Sequence, residues 1–173
     1  MVINNWKKYS VLAAFLAFGL LIAGSSFYES VSAQDSDDVK AVTEVLMAEA
    51  KAIETGDLET LDRLWSHDES VLIFESGGAD KGWKSYRDHH LAPELKAFKN
   101  TKYTVSDVAV KVDGKTAWAT FKYALSADYK ERKIESNGVG TMVFEKIEGK
   151  WLIVHSHTSA RRSQPSPSPA PKK

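Results

Sequence analysis

The sequence contains no cysteine. Disulfide cross-links, thiolate chemistry and lipid attachment at a cysteine are therefore excluded. Proline is scarce. Of five prolines, Pro165, Pro167, Pro169 and Pro171 crowd the C-terminal end, and only Pro93 precedes them. An excess of one charge is also missing, with 23 basic against 23 acidic residues. Lys7, Lys8, Arg161, Arg162, Lys172 and Lys173 lie outside 34–160, as does Glu29, which leaves 17 basic and 22 acidic residues inside. That stretch is mildly acidic. It lacks the basic footprint that nucleic-acid binding requires, so no nucleic-acid partner is expected. There is no internal repeat.

What is present suits one domain with a real core: 173 residues, 43% hydrophobic and 27% charged. The first 33 residues stand apart. Lys7 and Lys8 precede a continuous apolar run, Val11 to Gly24, and the segment closes on Val31-Ser32-Ala33. This three-part pattern predicts a signal peptide over 1–33, cleaved after Ala33, and a periplasmic or secreted protein. If uncleaved, Tyr9 to Tyr28 would just span a bilayer and anchor the chain to the membrane. An exported domain without disulfides must be stable from its core alone, which suits a bacterial periplasm or exterior. From Arg161 onward Ser, Pro and Lys dominate, and 161–173 is expected to be a disordered or polyproline-like tail.

Between these ends the apolar spacing alternates between helical and strand periods. Val39, Val42, Leu46, Ala50 and Ile53 form one helical stripe, with Glu44, Glu49, Lys51 and Glu54 expected on or near the other side. Gly56 ends this helix, and Asp57 caps a short second one with Leu58, Leu61 and Trp65 inward. Ser70 to Glu75 reads as a buried strand and Ser76 to Asp80 as a loop. Gly82 to Phe98 reads as a helix with Trp83, Tyr86, His90 and Leu91 inward, kinked or restarted at Pro93. Strands follow at 102–112, 116–127 and 134–147, with a bulge near Ser106-Asp107 and a hairpin at Asp113-Gly114. Gly138 and Gly140 predict a bend or a close approach by another group.

The last strand, Trp151 to Ser159, carries the most pointed signal. By strict alternation Trp151, Ile153, His155, His157 and Ser159 share a face. That face is apolar at one end and imidazole-rich at the other, as a pocket wall would be. The order helix, helix, strand, helix, meander is α+β, with helices on one face of a bent sheet.

These elements resemble the nuclear transport factor 2 fold superfamily, in particular its SnoaL-like bacterial branch, which is similar to ketosteroid isomerase and to the association domain of calmodulin-dependent kinase. The resemblance rests on the first helix ending in Gly56-Asp57, on Leu61-x-x-Leu64-Trp65, on Gly82-Trp83, and on Gly149 to Ser159. It covers 36–160 within a domain placed at 34–160. It implies a curved antiparallel sheet wrapped on helices into a cone-shaped barrel, a deep pocket, and a homodimer through the sheet. It does not imply one activity, because the fold hosts isomerases, cyclases, dehydratases, hydrolases and binding domains.

The expected pocket lining is Trp83, Tyr86, His90, Glu94, Trp118, Tyr123, His155 and His157. No cofactor is required. A divalent metal on His90, Glu94, His155 and His157 is a further possibility, since imidazoles with a carboxylate suit zinc and similar ions. A second reading is acid–base catalysis, a histidine moving a proton while Tyr86 or Tyr123 polarises a carbonyl, with Glu75, Glu94 and Asp107 as carboxylates placed by location only. A third is binding without catalysis, in which the histidines hydrogen-bond a small-molecule ligand such as a small carboxylate. A fourth is a structural or dimerisation domain with a vestigial pocket. His67 and His89 are expected at the surface.

Overall fold

The computed structural model describes residues 35–160. The expected signal peptide over 1–33 and the expected tail over 161–173 lie outside the described residues. Of the described residues, 39–160 belong to one compact unit, and the packing and the site described below are those of that unit.

Helix α1 (35–55) stops at Gly56, whose φ of 72° is open to a residue without a Cβ. Helix α2 (Leu58–Leu64) starts under an Asp57 cap whose Oδ1 accepts the Thr60 amide at 3.0 Å. Strands β1 (Leu72–Glu75) and β2 (Gly78–Lys81) form a tight antiparallel hairpin. The segment expected to be a loop from Ser76 to Asp80 is thus a turn plus most of a strand. Ser76 and Gly77 both take positive φ, which folds the chain back at once.

Helix α3 (Trp83–Tyr86) runs through a π-helical turn, Arg87–Leu91, into α4 (Ala92–Ala97). Pro93 has no N–H to give the carbonyl one turn back, and its ring would press on that carbonyl in a regular helix. The widened turn, closed by the Ala92 amide on the Arg87 carbonyl, carries the chain into α4 with Pro93 in its first turn.

Four long strands complete the sheet: β3 (Phe98–Asp113), β4 (Thr116–Tyr129), β5 (Arg132–Ile147) and β6 (Lys150–Ala160). The order is β2-β1-β6-β5-β4-β3, antiparallel except where β1 lies parallel to β6. This is the expected α+β architecture, a six-stranded mixed curved sheet with helices packed on its inner face. The 98–160 meander joins β1 through β6, so the last strand sits in the middle of the sheet. The core gathers Val42 and Leu46 of α1, Leu61, Trp65, Val71, Trp83, Phe121, Phe144 and Ile153.

Two local features set the geometry of the inner face. Asp107, at φ 52°, marks the expected bulge, where the β3–β4 register shifts between Ser106 and Ala109. This re-aligns Val105 with Val108, Val110 and Val112 against the core. Gly140 and Gly138 lie directly opposite Phe121 and Tyr123. A Cβ at Gly140 would stand 2.3 Å from Phe121 Cζ, and one at Gly138 would stand 2.2 Å from the Ser159 carbonyl oxygen and 2.6 Å from the Tyr123 ring. The outer atoms of both rings lie over bare backbone, which is the close approach the two glycines predict. Gly138→Ala must displace β6 backbone as well as a ring. It is expected to lower stability by about 1–3 kcal/mol in denaturant titration; a change within error would show that the β5–β6 pairing is looser than described.

Candidate functional site

A cavity of about 110 Å³ opens between the helices and the inner face of the sheet. A water-sized occupant takes ~10–15 Å³ on this measure, so the space suits a molecule on the order of eight non-hydrogen atoms. Its wall draws on every layer of the unit. Helix α1 supplies Glu49 and Ile53, β1 supplies Ile73 and Glu75, the α3–α4 segment supplies Tyr86, Leu91 and Glu94, and the strands supply Tyr103, Tyr123, Leu125, Met142, Ser156 and Thr158.

The placement of β6 side chains departs from strict alternation. Val143 pairs with His155 and Phe144 with Ile153, so Val154 is an extra residue in β6. A bulge of this kind moves every later side chain to the other face. Trp151 and Ile153 point into the core before it, and Ser156 and Thr158 point into the cavity after it. His155 and His157 face outward, each edge-on to Phe74, with centroids at 5.3 and 5.8 Å. The His155 Nδ1–H donates to the Leu72 carbonyl at 2.8 Å. The expectation that His155 and His157 line the pocket is therefore corrected.

Of the other residues expected on the wall, Tyr86, Glu94 and Tyr123 are there. Trp118 alternates with buried Ala117 and Ala119 and is 42% exposed on the outer face. Trp83 is buried behind the wall, stacked on Trp65 at 4.9 Å, and its indole donates to Asp62 Oδ1 at 2.9 Å. His90 stands just behind the cavity. Its Nδ1 is 3.2 Å from Asp80, and its Nε2 is 3.8 Å from Glu75 and 3.7 Å from Glu94. His90 and Glu94 thus meet on the inner side while His155 and His157 lie on the outer one. No group of three or more His, Cys, Asp or Glu among the described residues is arranged to hold a metal ion. Asp107 is at the exposed bulge, paired with Lys122 at 2.7 Å. His67 is exposed and donates from Nε2 to the Asp62 carbonyl.

The residue that sets the site's chemistry is Glu49, expected on the outer side of α1. It is 4% exposed and sits on the cavity wall, and its Oε2 meets no hydrogen-bond partner among the described residues. Burial, reinforced by the charge of Glu75, pushes its pKa up to about 8. At neutral pH it is a carboxylic acid. The spacing does contain this answer: Glu49 follows Leu46 by three and precedes Ile53 by four, inside the apolar stripe. Trp65 Nε1 is a second buried group on the wall without a partner among the described residues.

Around these two, Tyr86 donates its hydroxyl to Glu75 Oε2 at 2.9 Å. Burial and the surrounding carboxylates hold the Tyr86 phenol well above its usual range. Glu94 is raised by partial burial and by Glu75, against the pull of His90. Tyr103 stacks on Tyr123 at 5.8 Å and is raised by burial, with Glu49 adding to the effect.

The SnoaL-like domain family matches residues 27–163, and the chain belongs to that family. Solved structures carry the same fold. A nuclear transport factor 2-like superfamily protein from Salmonella enterica is 20% identical, covers 80% of this chain and 99% of its own, and superposes with a TM-score of 0.68. A candidate ketosteroid isomerase from Shewanella frigidimarina is 24% identical over 69% of this chain and 94% of its own, with a TM-score of 0.61. The calmodulin-dependent kinase II hub of S. rosetta is 26% identical over 71% and 96%, with a TM-score of 0.55. No curated protein sequence matches the chain.

Glu49 also gives the site a signature in stability. Between pH 4.5 and about 8 the folded chain holds a proton there that the unfolded chain has released. Stability contributed through this group therefore falls as pH rises through that window, by up to about 1.4 kcal/mol per pH unit. Glu49→Gln removes the dependence. The variant is expected to match the parent near pH 4.5 and to exceed it increasingly toward pH 8 in thermal melts. Parallel pH profiles would contradict the buried acid.

Proposed function

We propose that this chain is an exported, small-molecule-binding SnoaL-like domain whose ligand occupies the cavity lined by Glu49, Trp65 and Tyr86. One observation carries the reading. Two buried polar atoms on one cavity wall, Glu49 Oε2 and Trp65 Nε1, lack partners among the described residues. Leaving such groups unsatisfied costs about 1–3 kcal/mol each, and a bound molecule would recover part of that. The N-terminal pattern supports export to a periplasm or exterior. The outer sheet face carries Leu72, Trp118 and Val139 exposed, and a relative is named as a hub, which together support a homodimer through the sheet.

The test is a fragment screen read by NMR on the Trp65 indole N–H. Binders of millimolar affinity or better are expected to shift that resonance, and Ser156→Phe, which fills the cavity with a ring, is expected to abolish the shift. A screen in which no fragment moves Trp65 would overturn the reading and leave the structural role.

A second reading, acid–base chemistry in the same cavity, is favoured by the proton Glu49 holds beside the carboxylates of Glu75 and Glu94. It predicts solvent-deuterium exchange of an acidic C–H in a bound ketone, lost by at least about tenfold in Glu49→Gln. Equal exchange in the two proteins would remove Glu49 from any such chemistry.

A further inference from the structure

We propose that the cavity selects a small organic cation, an ammonium carrying a hydroxyl or similar acceptor, and rejects anions. The inference rests on the binding role proposed above and names the ligand class. Among the described residues, the cavity wall holds three carboxyl groups, Glu49, Glu75 and Glu94, and no Lys, Arg or His. An anion entering it would find no positive partner among these residues and would face the carboxylates of Glu75 and Glu94. His90 touches Glu75 and Glu94 from behind and, when charged, offsets one of them and leaves the wall acidic.

The aromatic content points the same way. Trp65, Tyr86, Tyr103 and Tyr123 all line the space, and an aromatic ring attracts a desolvated cation that reaches its face. Tyr103 and Tyr123 stack on each other at 5.8 Å between centroids. Two further atoms refine the ligand. Glu49 Oε2 is buried and unpartnered, a place for the positive group, whose charge would favour the ionised form of the acid. Trp65 Nε1 is buried, unpartnered and donor-only, so it requires an acceptor on the same molecule. Glu75 and Glu94, with side chains 37% and 43% exposed, stand nearer solvent, where they would attract a cation toward the buried acid.

The probes are choline, its uncharged carbon isostere 3,3-dimethylbutan-1-ol, and the anionic isostere 3,3-dimethylbutanoate. All three have nearly the same shape and fall within the size of the cavity. They are titrated into the intact protein while the Trp65 indole resonance and calorimetry are followed. Choline is expected to bind at least about tenfold more tightly than the alcohol, with no detectable binding of the carboxylate. Glu49→Gln, which keeps the shape and removes the carboxyl group that a bound cation would draw into its ionised form, is expected to bring choline down to the level of the alcohol. If the alcohol binds as well as choline, or the carboxylate binds best, the cation proposal falls while the cavity remains a ligand site. If none of the three binds, the cation proposal also falls, and the fragment screen decides separately whether the cavity is a ligand site.

Discussion

The pairing of β6 with β5, two residues against one at Val154, is the constraint on which the rest of the site depends. Without it, strand alternation would carry the Trp151 and Ile153 face straight on through His155 and His157, and the cavity would be walled by imidazole. With it, the core face continues as Ser156 and Thr158, and the histidines move to the outer face beside Phe74. β1 lies parallel to the same stretch of β6, Leu72 opposite His155 and Glu75 opposite Thr158. That pairing brings Glu75 onto the cavity wall and within reach of the Tyr86 hydroxyl. One inserted residue thus decides that the site is acidic and aromatic rather than histidine-rich.

The second organising fact is a carboxyl group in the core of a helix stripe. Burying an ionised carboxylate without a counter-charge is so unfavourable that the group keeps its proton instead. Glu49 does so, and its neutral form costs less than its charged form but still leaves an oxygen unpaired. A protein optimised for stability alone would place a Leu or Met here. Retaining an acid whose oxygen meets the cavity, beside an indole N–H in the same state, is the pattern expected where stability is exchanged for recognition.

Much of the scaffold was legible in the sequence because it is written in local chemistry. Gly56 with its positive φ, the Asp57 cap, the Asp113-Gly114 turn, the bulge at Asp107 and the aromatic rings over Gly138 and Gly140 each depend on one or two residues with few alternatives. The family resemblance rested on Gly56-Asp57, Leu61-x-x-Leu64-Trp65, Gly82-Trp83 and the run from Gly149 to Ser159. The site was less legible. The Val154 bulge carries no glycine or Asx residue to announce it, and apolar side chains on both faces of early β6 hide the change of phase. The β1–β2 hairpin was concealed by a second strand of polar and small residues, Gly78-Ala79-Asp80-Lys81. Glu49 is legible in the spacing: its position in the 42–46–53 stripe marks it as inward, and only the charge of a glutamate points it to the other side.

The central claim is that a neutral, buried acid at Glu49 defines the cavity. The most direct test is a carbon-detected NMR titration of the Glu49 side-chain carboxyl in the unliganded protein. The structure predicts a midpoint near pH 8. A midpoint in the ordinary glutamate range, near the reference value of 4.5, would mean that Glu49 is solvated and ionised, and the account of the cavity built on it would be wrong.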